Sequence, residues 1–491
     1  MEQTGIKYKT TGCTWLQSVS EVVGFPLDQV NFLACQSLAL LAAFWFRLYL
    51  SPQHVSPLVR HAVAALLGMS FIVFCFGWYS LHIFMLVFSC YCIMIKANAD
   101  NIHRYSLMVA MGYLTICQIS RAYIFSYGIL STDFSGPLMI LTQKITMLAF
   151  QVHDGMCGNP GELTAEQKRL AVPSKPCLVE YLSYNLNFLS VLVGPCSSYK
   201  DYVEFIEGRH IRGRLSLANG KQSGQDSWPE PSPMRAVTHK LLVCLVCLFL
   251  FLTLTRALPI AHNIDPQFLS EASFMSRLTY AFFSVQAARP KFYFAWTLSD
   301  AINNAAGYGF KGVDKNGLES WDLISNLNIL GIEMATSFKT FIDNWNIQTG
   351  VWLKCVCYDR APRNRMALTF LLSAVWHGVY PGYYFTFLTG IPITQAARIV
   401  RRNFRHHFLS SAALKLGYDV LTWAATQLAI SYTVMPFLLL ATEPSMRFYS
   451  SMYFHFHIIS ILVVISGHLV AGATKRHSYQ AHHSNNNVKE N

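Results

Sequence analysis

Long apolar runs separated by short polar turns dominate this chain. Val30 to Phe46 is uncharged, and His61 to Ile95 contains no Asp, Glu, Lys or Arg. About 20 mostly apolar residues are needed for a helix to cross a bilayer, so the first run predicts one span and the second predicts two closely connected helices. Tyr105 to Ser120 follows as another. Phe134 to Val152 and Leu178 to Ser198 are weaker spans because they carry Lys144 and Glu180, which suits tilted helices or helices buried among others. Val243 to Thr255 is the apolar heart of a further helix. Leu278 to Leu298 is interrupted by Arg289, Pro290 and Lys291, a pattern that favours two short pieces over one span. Met366 to Gln395, Leu416 to Ala441 and Tyr453 to Gly472 close the series.

The length criterion gives about ten to eleven helices, hence an all-α polytopic membrane protein. The expected organisation is an N-terminal segment over 1–29, one membrane domain over 30–472 and a disordered tail over 473–491. Between the spans, Cys157 to Pro176 and Gly208 to Arg235 read as exposed, mobile loops, the second because of its Trp228-Pro229-Glu230-Pro231-Ser232-Pro233 tract.

Composition agrees with the pattern. Hydrophobic residues make up 53% of the chain and charged residues 13%, against about 25% charged in a soluble domain. The net charge of +12 sits in short loops rather than on one basic face, which argues for the positive-inside rule and against nucleic acid. Arg398, Arg401, Arg402 and Arg405 are two predicted spans away from Lys475 and Arg476, so both groups fall on one side, the cytosolic one. Lys354, Arg360, Arg363 and Arg365 are basic too. Met366 to Ile399 must then return to the side it left, and a broken helix or hairpin around Gly382 would let it.

Most of the 13 cysteines lie inside apolar runs, where a thiol is a small hydrophobe, so no disulfide framework is implied. Cys244 and Cys247 have a metal-like spacing without a complementary pair, and Cys355 with Cys357 reads the same way, so no metal is expected. The first 29 residues carry Glu2, Lys7, Lys9, Glu21 and Asp28, unlike a cleaved signal peptide.

The informative chemistry is Trp376-His377-Gly378, inside an otherwise uncharged run. His377 lies 12 residues past Arg365, about 18 Å along a straight helix and near the middle of a bilayer core about 30 Å thick. A His there can simply bond a neighbouring helix. However, Gly378, Pro381 and Gly382 loosen the helix, and Tyr380, Tyr383 and Tyr384 add rings with polar tips, more like a tunnel wall than a packed span. Desolvation favours the neutral imidazole, which can act as a general base toward an alcohol attacking a thioester.

Two polar patches stand upstream. Phe341 to Thr349 contains Asp343, Asn344 and Asn346. It suits either a capped helix start, with Asp343 or Asn344 as cap, or an amide that orients His377 or holds a carbonyl oxygen. Asp300 to Gly307, with Asn303 and Asn304, suits a head-group cavity or an ordinary helix terminus equally well. No G-x-S-x-G elbow, H-E-x-x-H helix or phosphate-binding loop occurs, and no His is followed by Asp five positions on. His455, His457 and His468 suit structural pairing, and His482 with His483 lies in the tail. Intramembrane His, Asn and Gly would also suit a transporter or scramblase, which paired broken repeats would favour; none is seen.

Four short motifs resemble the membrane-bound O-acyltransferase (MBOAT) family, in its lysophospholipid acyltransferase branch. They are Trp321-Asp322; Trp376, His377, Gly378, Gly382, Tyr383 and Phe387; Tyr432 with Phe437; and Tyr449, Tyr453, Phe454 and His457, in that order. The resemblance implies about eleven helices around a central tunnel in the endoplasmic reticulum membrane. It implies His377 as catalytic base and Asn346, before Ile347 and Thr349, as its catalytic partner. Trp321, Asp322, Asn303, Asn304, Trp376, Gly378, Tyr380, Gly382 and Tyr383 would then bind substrate. The donor would be an unsaturated acyl-CoA such as oleoyl-CoA, a co-substrate rather than a cofactor. The acceptor would be lysophosphatidylethanolamine or lysophosphatidylserine, with a sterol or protein acceptor as the rival within the family. Oligomeric state is left open.

Overall fold

A computed structural model describes residues 10–124, 133–159, 161–211, 231–313, 317–467 and 469. The tail 473–491, most of the Gly208 to Arg235 loop and His468 lie outside these residues. Among them the regular elements are helices, apart from one pair of two-residue strands, Gly312–Val313 with Glu319–Ser320. This is an all-helical, polytopic membrane protein.

Among the described residues, three helical stretches are long and apolar enough to cross a membrane by themselves: Leu27–Tyr49, Pro57–Lys96 and Met234–Ile264. The second consists of two helices, Pro57–Phe76 and Ser80–Lys96, joined by one tight turn at Gly77–Tyr79. A fourth candidate is the pair Thr442–Ser451 and His455–Gly467, bent by 73°. The bend falls where Tyr453 and Phe454 both take positive φ, a conformation that bulky residues adopt only under constraint. Other helices have the length to span but carry buried polar residues in place of a uniformly apolar surface. Ser135–Met156 buries Thr142, Gln143, Lys144, Thr146, Gln151 and Asp154, so protein rather than lipid surrounds it.

The chain divides into two compact units. The first comprises Met1–Leu252, Arg289–Asn328 and Trp345–Val379. In it Ile102–Ile119 packs along Ser135–Met156, and Pro57–Phe76 along Leu178–Leu186. Its core runs from Cys35 and Phe46 through Leu148 and Tyr184 to Trp352 and Trp376. The second comprises Thr253–Ala288, Ile329–Asn344 and Tyr380–Asn491. There Pro381–Phe404 packs against Ala412–Leu439, and Ala281, Val285, Tyr432, Met435, Phe448, Tyr449 and Met452 form the core. The close approach is made at Gly382, whose N–H donates to Leu440 O at 2.7 Å. A Cβ there would overlap the Pro436 carbonyl oxygen.

Several expectations need correction. Leu278 to Leu298 is not two pieces: one helix, Phe274–Ala305, continues through Pro290. Leu178 to Ser198 is not a span, because its helix stops at Leu186 and 187–198 is irregular yet almost wholly buried. Its apolar composition serves burial in protein, and several of its polar groups are paired there, as where Asn187 Nδ2 donates to Ser183 O and Tyr184 O at 3.1 and 2.8 Å and Phe188 N–H to Ala64 O at 3.2 Å. The break in Met366 to Ile399 exists, but at Gly378 to Tyr380 rather than around Gly382. Arg365–His377 ends at Gly378, with φ of 142°, and the next helix starts at Pro381, a residue suited to the first helical position. The Cys157 to Pro176 loop is exposed but anchored. A capping box at Thr164 and Gln167 starts the Ala165–Leu170 helix, Arg169 pairs with Glu166 and Asp201, and Lys175 Nζ donates to Ile95 O and Ala97 O.

Candidate functional site

One face of the Ser135–Met156 helix organises the first unit. Met139, Gln143 and Thr146 are spaced i, i+4, i+7, so they share a face. The Met139 carbonyl accepts Trp376 Nε1–H at 3.0 Å, Gln143 Nε2 donates to Thr349 Oγ1 at 2.8 Å, and Thr146 Oγ1 accepts Trp352 Nε1–H at 2.8 Å. Trp376 precedes His377, while Thr349 and Trp352 belong to the Ile347–Leu353 helix that Asn346 begins. The two indoles meet at 5.7 Å between ring centroids. Gln118 adds a fourth tie, donating from Nε2 to Trp376 O at 3.1 Å. The segments bearing His377 and Asn346 are therefore fastened to the same helix face.

His377 is the last residue of its helix and is only partly buried, while Trp376 beside it is buried. Trp376 turns its ring edge-on to the imidazole at 4.6 Å. The tight turn at Gly378 ends the helix there.

Asn346, not Asp343 or Asn344, occupies the cap position, in the left-handed region at φ of 49°. Asn tolerates this conformation better than other residues with a Cβ. Its side chain does not cap the helix. Asn326 does so instead: its carbonyl accepts Ile347 N–H at 2.7 Å and its Oδ1 accepts Gln348 N–H at 3.1 Å. Asn346 Oδ1 accepts the Thr349 hydroxyl at 2.8 Å, and among the described residues its Nδ2 donates to no protein group. Trp345, just before it, sits edge-on to Phe292, Tyr293 and Trp296 at 5.5 to 6.0 Å. Asn344 Nδ2 bonds Thr340 O at 2.8 Å, and Asp343 pairs with Lys339.

The Asp300 to Gly307 patch is the buried end of the Phe274–Ala305 helix. Asn303 Nδ2 donates to Leu189 O and Ser299 O at 3.0 and 2.8 Å. Asn304 Nδ2 donates to Tyr308 O at 3.0 Å, and its Oδ1 accepts Lys240 Nζ at 2.8 Å. The same ammonium reaches Asp300 Oδ2 at 2.6 Å and Trp321 O at 3.0 Å, and Ser325 Oγ donates to Asp300 at 2.5 Å. Asn303, Asn304 and Trp321 thus serve as ties within the protein. Asp322 lies on an exposed turn, paired with Lys311 at 2.9 Å and hydrogen-bonded by Ser320. Its carboxyl stays below the ordinary range: burial raises it, but the Ser320 hydroxyl and the Lys311 ammonium outweigh burial.

In the second unit Tyr383 meets Phe437 at 4.7 Å between ring centroids, and Tyr380 meets Tyr383 at 5.9 Å. Two motifs converge there. His457 shares its Nδ1 with Tyr432 OH at 2.7 Å and its Nε2 with Thr389 Oγ1 at 2.9 Å, and Thr389 also meets Tyr449 OH at 3.1 Å. With both ring nitrogens committed, His457 pairs structurally.

Gln143, Thr146 and Asn326 escaped the reading of the sequence, and Thr349 entered it only as part of the motif around Asn346. The signal available was the pair of polar side chains at 143 and 146 in an apolar stretch, overshadowed there by Lys144. That ammonium is wholly buried, donating to Ser190 Oγ at 2.9 Å above the Tyr184 ring. Among the described residues no three His, Cys, Asp or Glu side chains gather closely enough to hold a metal ion.

Comparison with known proteins bears on the chemistry. Residues 119–439 match the model of MBOAT, the membrane-bound O-acyltransferase family. Membrane-bound glycerophospholipid O-acyltransferase 1 of Mus musculus is 62% identical over 460 residues, 94% of each chain. Membrane-bound glycerophospholipid O-acyltransferase 2 of Homo sapiens is 56% identical over 456 residues, covering 93% of this chain and 88% of that one. Lysophospholipid acyltransferase 6 of Drosophila melanogaster is 41% identical over 456 residues, 92% of this chain and 62% of the relative.

Proposed function

Because the chain belongs to the membrane-bound O-acyltransferase family, we propose that it transfers a fatty acyl group from acyl-CoA to the free hydroxyl of a lysophospholipid, with His377 as general base and Asn346 as its polar partner. One observation carries the assignment of residues: the segments holding His377 and Asn346 are fastened to one face of the Ser135–Met156 helix through Met139, Gln143 and Thr146. The names of the relatives support a glycerophospholipid product.

In this reading the neutral imidazole of His377 takes the proton of the lysophospholipid hydroxyl as its oxygen attacks the thioester carbonyl. The new C–O ester bond forms, the C–S bond breaks, and the CoA thiolate leaves with the electron pair and is protonated by the imidazolium. The amide of Asn346 donates to the carbonyl oxygen while it carries negative charge. The acceptor is lysophosphatidylethanolamine or lysophosphatidylserine, the donor an unsaturated acyl-CoA such as oleoyl-CoA, and the setting phospholipid remodelling in the endoplasmic reticulum membrane.

The test is mass spectrometry of products formed by the purified protein from mixed acyl-CoAs with a panel of lysophospholipids, sterols and peptides. Diacyl phospholipid and free CoA should appear in equal amounts, with His377→Ala slowing transfer by about 100- to 10,000-fold. Near-normal turnover in that variant removes His377 from the mechanism, and acylation of sterol or peptide alone removes the lysophospholipid.

A further inference from the structure

The Ile347–Leu353 helix starts on Asn346, yet that side chain does none of the capping. A helix leaves its first N–H groups without internal partners, and an Asn at the cap position ordinarily accepts one of them with its own Oδ1. Here Asn326 accepts the N–H groups of both Ile347 and Gln348 from the neighbouring loop. Gln348 Nε2 grips that loop in return at Leu323 O and Ser325 O, each at 3.3 Å. The Asn346 side chain is thereby released from capping.

Thr349 then decides which end of the amide faces away. Its hydroxyl has one proton to give. Gln143 Nε2 donates to that oxygen at 2.8 Å, so the hydroxyl proton goes to Asn346 Oδ1, also at 2.8 Å. With its oxygen held, Asn346 is left with its NH2 to offer. Gln143 is 2% exposed and Thr349 7%, so water does not compete for these bonds as it would at a surface.

We propose that Gln143 and Thr349, with Asn326 taking over the cap, are positioning residues that lock Asn346 with its amide NH2 presented as a hydrogen-bond donor to the reacting carbonyl oxygen. The inference rests on the role given to Asn346 above and adds its direction. The reversed relay, with Gln143 accepting from Thr349 and Thr349 accepting from Asn346, would present an acceptor and could not stabilise a developing oxyanion.

The test compares variants of the full-length enzyme in detergent. Thr349→Val keeps the shape and removes the hydroxyl. It should lower kcat about 10- to 100-fold, as a misplacement of about 1 Å can, with KM for both substrates within about twofold, and Thr349→Ser should recover most of the rate. Thr349→Val leaves Gln143 Nε2 without its acceptor, which alone can lower stability. The double variant Gln143→Leu with Thr349→Val removes both partners, so it should regain thermal stability while staying slow. Unchanged kcat in the folded double variant overturns the proposal, as does a rate that recovers together with stability. Asn346→Gly separates the two levels. If it is inactive while the double variant is fully active, the relay is wrong and Asn346 stands; if it is active, the role of Asn346 itself falls.

Discussion

At the buried end of the Phe274–Ala305 helix, Asn303 spends both amide protons on backbone carbonyls, and Asn304 commits its oxygen to Lys240 as well as its nitrogen to Tyr308 O. At the start of the Ile347–Leu353 helix, Asn346 commits only its oxygen, and another residue caps the helix for it. The same amide group is a tie in one place and a presented donor in the other. Asn346 is half-buried, so its NH2 stays open to a ligand, whereas the amides of Asn303 and Asn304 are enclosed and spent within the protein.

The largest effect that would break the comparison is on stability. Lys240→Met leaves Asp300, 5% exposed, without its counter-charge. Such a loss is destabilising by about 3–5 kcal/mol and should lower the melting temperature in detergent, with turnover per folded molecule nearly unchanged. The double variant with Asp300→Leu should recover much of the loss. If Lys240→Met melts normally but transfers nothing, the Asp300 to Gly307 segment serves the reaction and the contrast with Asn346 disappears.

Asn346→Gly is the mirror image. Glycine takes φ of 49° without strain, so the backbone turn survives and only the amide is lost. Transfer should fall about 100- to 1,000-fold, the range for losing one oxyanion donor, while stability to melting falls only by what the Thr349 hydroxyl loses with its acceptor, about 1–3 kcal/mol. A variant that melts early but keeps its turnover would return Asn346 to a purely conformational role.

These two segments also mark how far the sequence could be read. Where a helix is apolar and little buried, as in Leu27–Tyr49 and Met234–Ala257, the uncharged runs Val30 to Phe46 and Val243 to Thr255 announce it. Leu178 to Ser198 has the same kind of composition but turns irregular after Leu186, because protein can bury a segment as dry as lipid does. Pro290 does not break its helix, so the local rule that forbids proline there yields to the surrounding structure. His377 was legible as an imidazole in an uncharged run with glycine after it. The pinning of Asn346 was not, because it comes from Gln143 and Asn326, which lie 203 and 20 positions away in the chain.

Asn304→Ala gives a smaller effect. It removes one of the three acceptors of Lys240 and should cost about 1–3 kcal/mol. Thermal melting at fixed detergent reads the loss, and kcat per folded molecule should stay within about threefold. A selective rise in KM for the lysophospholipid would instead place Asn304 against the head group.

The smallest effect is at Asp322, and it tests whether the Trp321-Asp322 motif works through both of its members. The Trp321 carbonyl belongs to the Lys240 network, whereas Asp322 holds an exposed ion pair with Lys311, an arrangement that contributes about 0–1 kcal/mol. Its carboxyl ionises below the ordinary range in the folded protein. The stabilisation is therefore present in full above the unfolded value of about 3.9 and is lost as pH falls through the lower, folded value. Asp322→Asn should melt slightly earlier than the parent near neutral pH, and the difference should vanish below the carboxylate range. Salt should shrink it as well, since exposed charges are screened. Transfer activity should hardly change. If the variant loses more than about tenfold in kcat with no change in melting, the carboxylate meets substrate directly. The exposed turn would then share the role proposed for Asn346, a hydrogen bond kept for the reaction.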